Sequence, residues 1–307
     1  LTEMQGMVDG INNWINEQWW WGRYPKVSFD EILLAHLMPD SLYFNLRGEE
    51  SATQRIPQVA CTVAIGKNQN SGLVFGRNMD WPSFGLAGMY SLVINRKYKN
   101  DKHSTVEIGI PGFAGTLTGM NKHGFSVAMN VCAKGHYHRG GIPAAFYNRM
   151  ALENCRTVRE GRSFISKHNP LGSYHLNIAD PNDAQSTHFY QGKLGNNTTR
   201  NLERGKPLIT TNCSYGNFGQ RDLHMHSSQE RQEILDRFFD GAKEQIRPGE
   251  KDLEALIAHG LTLPYVNNVI TTYTVEMLPG EKRMRAAFDN SYSASQPMQE
   301  IDTTELF

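Results

Sequence analysis

With 307 residues the chain has room for one large core, at the upper end of what a single domain holds. Lys plus Arg and Asp plus Glu both number 31, and no dense basic run occurs, so there is no surplus charge to neutralise a phosphate backbone and nucleic acid is excluded as a partner. No apolar run approaches the roughly 18 residues that a membrane span needs, and the cysteines at 61, 132, 155 and 213 are too scattered for a disulfide scaffold and form no CxxC pair.

The chain opens on Leu1 rather than Met, which reads as removal of an upstream segment, with export to an extracellular or periplasmic compartment the expectation. Residues 1 to about 46 carry apolar side chains at Met4, Val8, Ile11, Ile15 and Trp19 in an i, i+3/i+4 rhythm. A second run, Phe29, Ile32, Leu33 and Leu37, follows Ser28 as a candidate N-cap, so this region predicts amphipathic helices. Polar residues from Gly48 to Pro57 suit an exposed connection. Beyond Gln58 the pattern becomes short strands and turns, interrupted by helical stretches near 142–167 and 227–244, which predicts layered α and β structure. The expected organisation is a helical segment, 1–60, and a catalytic domain, 61–307.

Val59–Gly66 and Gly72–Asp80 are strand-like runs joined by a turn-rich stretch, KNQNS, and predict a hairpin. A loop centred on Gln69 would put Cys61 opposite Arg77, with Asp80 close to the Cys61 nitrogen. A guanidinium beside a thiol favours the reactive thiolate. A carboxylate beside that nitrogen could orient it if it were a free α-amine.

The string CTVAIGKNQNSGLVFGRNMDW from Cys61 resembles the start of the mature chain in the choloylglycine hydrolase and acid ceramidase group, and is similar to the isopenicillin N acyltransferases. PGFAGTLTGMNKHGFSVAMN at 111–130, ITTNCSYG at 209–216 and HSSQERQEIL at 226–235 resemble the later blocks of that group, in its order. The resemblance implies an α+β fold, a four-layer αββα sandwich in which a cysteine opening a central strand is the nucleophile and its own α-amine the base. It carries the site to Cys61, Arg77, Asp80, Asn130, Asn212 and Arg231, with Asn130 and Asn212 as oxyanion donors and Arg231 holding Asp80 or a polar end of the substrate. No cofactor is implied. An α-amine of pKa about 7.7–8.0 and a thiol of about 8.5 are matched for proton transfer near neutral pH. The implied activity is autoproteolytic activation at Ala60–Cys61, followed by hydrolysis of a linear, non-peptide N-acyl amide such as an N-acyl amine, a ceramide-like lipid or a conjugated bile acid. The alternative is acyl transfer to an amine. Because 60 residues precede Cys61, the ceramidase and acyltransferase branches fit better than the bile-salt hydrolases, and the helical fragment is expected to stay associated, with Trp19, Trp20 and Trp21 bordering an acyl pocket.

Each of these residues also has a plainer reading. A lone strand cysteine is usually a small buried hydrophobe, and Arg77 with Asp80 could be an ion pair at a strand end. Asn130 and Asn212 could close strands, as Asn121 is expected to do. His136–Tyr137–His138 and His224–Met225–His226 offer a different class of function, because alternating imidazoles on a strand can share a divalent metal. A silent lipid- or partner-binding module, contacting through the Trp-rich helix, is a third.

Overall fold

The structure, a computed structural model, describes residues 2–17, 24–37, 40, 60–68, 72–81, 89–132, 138–189, 197–212, 228–241, 253–289, 291–303 and 305–307. Trp19–Trp21, the Gly48–Pro57 connection, Cys213 and three of the four HxH histidines lie outside these residues.

Two antiparallel sheets face each other. The first runs β10–β1–β2–β11–β12–β13, with β1 (Ala60–Asn68) and β2 (Gly72–Asp80) followed in sequence by β10 (Leu208–Thr210), β11 (Thr271–Leu278), β12 (Arg283–Phe288) and β13 (Gln299–Ile301). The second holds β3 (Leu92–Arg96), β4 (Thr105–Gly109), β5 (Thr118–Asn121), β6 (Ser126–Val131), β7 (Tyr174–Ala179), β8 (Ala184–Phe189) and β9 (Asn197–Asn201) as a meander in chain order. Because successive strand residues face opposite sides, each sheet feeds two cores. Odd-numbered residues of β1 and β2, Val63, Ile65 and Phe75 among them, meet Val106, Ile108, Met120 and Ala128 between the sheets. The even-numbered Ala64 and Val74 pack instead under the outer helices α5 (Ser228–Gly241) and α6 (Leu253–Thr262). On the far side Val127, Met129, Leu176 and Ile178 pack under α3 (Ala144–Asn154) and α4 (Val158–Ile165). Three cores between four layers make the αββα sandwich. Burial on both faces is why β1 and β2 carry apolar side chains on both sides, Val63 and Phe75 towards the second sheet and Ala64 and Val74 towards the helices.

Gly76 marks a close approach of helix to sheet, since a Cβ there would lie 2.5 Å from Ile257 Cγ2 and 2.9 Å from Leu261 Cδ1. The single helical stretch expected near 142–167 is two helices. The chain is extended at Cys155, and Thr157 caps α4 by accepting from the Glu160 amide.

The N-terminal segment is helical as expected. In α1 (Thr2–Glu17) Met4, Val8 and Ile15 are buried; α2 (Phe29–His36) begins with a capping box between Ser28 and Glu31. Polar ties fix the segment to the sandwich. Glu3 reaches Arg96 at 2.5 Å and Arg149 at 2.7 Å. The Ala114 amide donates to His36 Nε2 at 2.6 Å, and the imidazole stacks on Phe113 and Phe146. Asp40, almost fully buried, accepts from the Ala144 amide with both carboxylate oxygens, at 3.2 and 3.1 Å, at the first turn of α3.

Candidate active site

Cys61 is the second residue of β1 and is 2% exposed. The hairpin register differs from the expected one by two residues: Cys61 pairs with Met79, Val63 with Arg77 and Ala60 with Asp80. A shift of two leaves every side chain on its expected face, whereas a shift of one would have reversed them all. Arg77 therefore still reaches the sulfur, but diagonally, with Nη2 3.5 Å from Cys61 Sγ.

Arg77 is fully buried between the sheets. Its guanidinium donates to the carbonyls of Leu117 and Met129, each at 2.7 Å, to the Thr118 hydroxyl, to Tyr273 Oη at 3.3 Å and to Met79 Sδ at 3.0 Å. Burial works against its charge, but Tyr273, Cys61 and Asp80 outweigh it, so the guanidinium is held protonated. The two carbonyls come from the opposite sheet. The cation thus bridges both sheets beside the sulfur.

The main chain of Cys61 is held as firmly as its side chain. Its amide donates to Asn212 Oδ1 at 2.8 Å. Its carbonyl accepts from Arg231 Nη1 at 2.6 Å and from Asn130 Nδ2 at 3.3 Å. Arg231, fully buried on α5, also donates to the Thr62 hydroxyl at 2.6 Å and, through Nη2, to Asn212 Oδ1 at 2.8 Å. Asn212 is steadied in turn, its Nδ2 on the Val131 carbonyl and its amide donating to Ser228 Oγ. Asn130 Nδ2 also donates to the carbonyl of Thr210 at 2.9 Å, and its Oδ1 accepts from Asn177.

The six residues singled out from the sequence fall into two groups. Arg77, Asn130, Asn212 and Arg231 converge on one residue, Cys61. Asp80 sits across the hairpin from Ala60, on the helix-facing side of the sheet, where Oδ1 accepts from Thr271 Oγ1 at 2.6 Å. The Cys61 nitrogen donates to Asn212, and Arg231 donates to the Cys61 carbonyl. Thr62, Ser228 and Tyr273 join the site without being singled out by the sequence: Thr62 adjoins Cys61 and Ser228 lies in the 226–235 block three residues before Arg231, whereas Tyr273 comes from a distant strand and carries no local signal. Asn121 closes a turn as expected, its Oδ1 accepting from the amides of His123 and Phe125.

A family model described as acyl-coenzyme A:6-aminopenicillanic acid acyl-transferase matches residues 67–250, well over half of the chain. Similar solved structures include a mutant of the conjugated bile acid hydrolase from Clostridium perfringens, at 15% identity and TM-score 0.58, covering 80% of this chain and 93% of that one. Penicillin V acylase from Agrobacterium tumefaciens is similar at 18% identity and TM-score 0.55, covering 80% and 87%. A Caenorhabditis elegans ortholog of N-acylethanolamine-hydrolyzing acid amidase follows at 17% identity and TM-score 0.52, covering 72% and 93%. At these identities the likeness is one of fold, and the fold is the N-terminal-nucleophile sandwich. No curated protein matches the chain closely enough to count as a relative.

Proposed function

Because the chain belongs to the acyl-coenzyme A:6-aminopenicillanic acid acyl-transferase family, we propose that it is an autoproteolytically activated cysteine amidase that cleaves a linear N-acyl amide with Cys61 as nucleophile. The observation that carries this reading is the convergence on Cys61, with Arg77 at the sulfur, Asn212 at the nitrogen, and Arg231 and Asn130 at the carbonyl. A cysteine serving only as core filler would not need a fully buried guanidinium beside its sulfur, since an apolar neighbour would fill that space without desolvating a charge.

In the proposed activation the Cys61 thiol attacks the carbonyl carbon of Ala60. The new C–S bond replaces the C–N bond, and the nitrogen takes the thiol proton. Water then opens the thioester, releasing an Ala60 carboxylate and restoring the thiol beside a free α-amine. In turnover the α-amine, oriented by Asn212 Oδ1, accepts the thiol proton as sulfur attacks the substrate carbonyl. It returns that proton to the departing amine, and water clears the acyl-enzyme. Arg77 stabilises charge on sulfur. Asn130 and Asn212 act on the oxyanion when their Nδ2 groups exchange a main-chain carbonyl for it, an interaction typically worth about 3 kcal/mol. Arg231 locks the Cys61 carbonyl, and Asp80 supports the hairpin beside Ala60.

The conjugated bile acid, N-acylethanolamine and penicillin V named for the fold's neighbours each present an acyl amide, which favours that substrate class for this chain. The family description also supports a second outcome of the same acyl-enzyme, capture by an amine rather than by water. Mass spectrometry tests activation. Wild type is expected as fragments 1–60 and 61–307 that stay associated, and Cys61→Ala as one inactive chain. A fully active wild type still carrying the Ala60–Cys61 bond would refute the mechanism.

A further inference from the structure

Cys132, His175 and His188 bring a thiol and two imidazoles together in the layer between the sheets, with one ligand atom from each lying within 4.8 Å of the others. Strand register produces the cluster. His175 on β7 pairs with Asn130 on β6 and with His188 on β8, so the imidazoles share a face and stack with centroids 4.4 Å apart. Cys132, two residues beyond Asn130, falls on that face at the end of β6. All three residues are completely buried. The trio shares no residue with the two HxH pairs, and among the described residues it is the one group of three or more such side chains close enough to hold an ion.

We propose that Cys132, His175 and His188 form a binding site for a thiophilic transition-metal ion of the zinc(II) class. A thiolate with two neutral imidazoles is a donor set suited to zinc. Zn–S of about 2.3 Å and Zn–N of about 2.0 Å place tetrahedral donors roughly 3.3–3.7 Å apart, so binding requires the trio to close by about 1 Å and the stacked imidazoles to turn until both ring planes contain the ion. The thiolate cancels one of the two charges, and the fourth position takes a water or hydroxide. The Ser173 hydroxyl, 3.4 Å from His188 Nε2, stands beside it. Three protein donors and an open fourth position match the donor count of a catalytic zinc, but complete burial keeps substrate out, so the role is structural. Cys132 follows Val131, whose carbonyl holds Asn212, so an ion here would stiffen the strand end that supports the nucleophile's nitrogen.

A buried site loads as the chain folds, so the test uses protein produced in cells grown with cobalt(II) in place of zinc. Free Cys61, with its α-amine, could itself chelate cobalt, and the measurement is therefore made on Cys61→Ala as well as wild type. The expected result is about one cobalt per chain in both, with a thiolate-to-cobalt charge-transfer band. Cys61→Ala/Cys132→Ser should lose that band, and Cys61→Ala/His188→Gln should lose the metal to EDTA roughly tenfold faster. Absence of the band from Cys61→Ala, or its persistence unchanged in Cys61→Ala/Cys132→Ser, would overturn the assignment. The wild-type and Cys61→Ala measurements decide it even if the cluster variants fail to fold, and none of them depends on amidase activity.

Discussion

Replacing Asp40 by Asn is expected to remove a pH-dependent weakness in the docking of the N-terminal helices. Asp40 is 2% exposed, and burial pushes its carboxyl up from the ordinary 3.8 to about 7, partly offset by the Ala144 amide. A carboxyl whose docked pKa is raised favours docking most strongly below its undocked pKa. That stability is lost as pH climbs from about 4 through about 7, and the contribution is flat beyond. The difference of roughly 3 pKa units sets a ceiling near 4 kcal/mol, at 1.36 kcal/mol per unit. The N-terminus of α3 favours the ionised form by about 0.5–1 kcal/mol, leaving about 3 kcal/mol. Hydrogen exchange on the uncut Cys61→Ala chain, corrected for intrinsic rates, reads the opening free energy of α2. It should fall by about that amount between pH 4 and 7.5, and stay level in Cys61→Ala/Asp40→Asn. A level profile with Asp40 present, or an equally steep one in the Asp40→Asn double variant, would refute the reasoning.

Gly76→Ala should lower stability by about 1–3 kcal/mol in chemical denaturation, because the new methyl meets Ile257 and Leu261 in a close helix–sheet contact; unchanged stability would mean that α6 shifts freely. Arg77→Lys and Asp80→Asn are each expected to reduce kcat/KM on an N-acyl amide by at least about tenfold. Lysine keeps the charge without the fork that reaches the Leu117 and Met129 carbonyls, so a thermal melt must accompany the kinetics, and near-normal turnover in both variants would remove these residues from the site. Across N-acyl amides of graded chain length, turnover should rise with the length of the apolar acyl part, and a flat response would argue against an apolar acyl pocket.

The hairpin shows what the sequence could and could not specify. The period-two pattern fixed which residues face the second sheet, because one face of β1 and β2 serves each core. The register was fixed by the turn, where the stretch KNQNS allows more than one centre, and the observed pairing moved Cys61 from Arg77 to Met79 without changing its face. The helices α1 and α2 were legible from spacing and from the Ser28 cap, whereas α6 was not, since LEALIAHGLT is apolar around much of its circumference and reads equally well as a buried strand. Cys61 and the two arginines around it were legible through family blocks. The metal-ligand trio was not, because Cys132, His175 and His188 meet only through two strand pairings, whose registers no local pattern gives.

If Cys61 cuts the chain as proposed, the timing of that cut follows from the way the residue is held. Its contacts come from Arg77, Asn130, Asn212 and Arg231, and the last of these lies on a helix that closes the outer layer of the first sheet. Under the proposed mechanism, a chain still emerging from the ribosome lacks those contacts until at least 231 residues have been made and both sheets have met. A chain stalled or misfolded before that point would carry an intact Ala60–Cys61 bond. Scission would then serve as a proofreading checkpoint on assembly, with only molecules that have completed the sandwich acquiring the base that turnover requires.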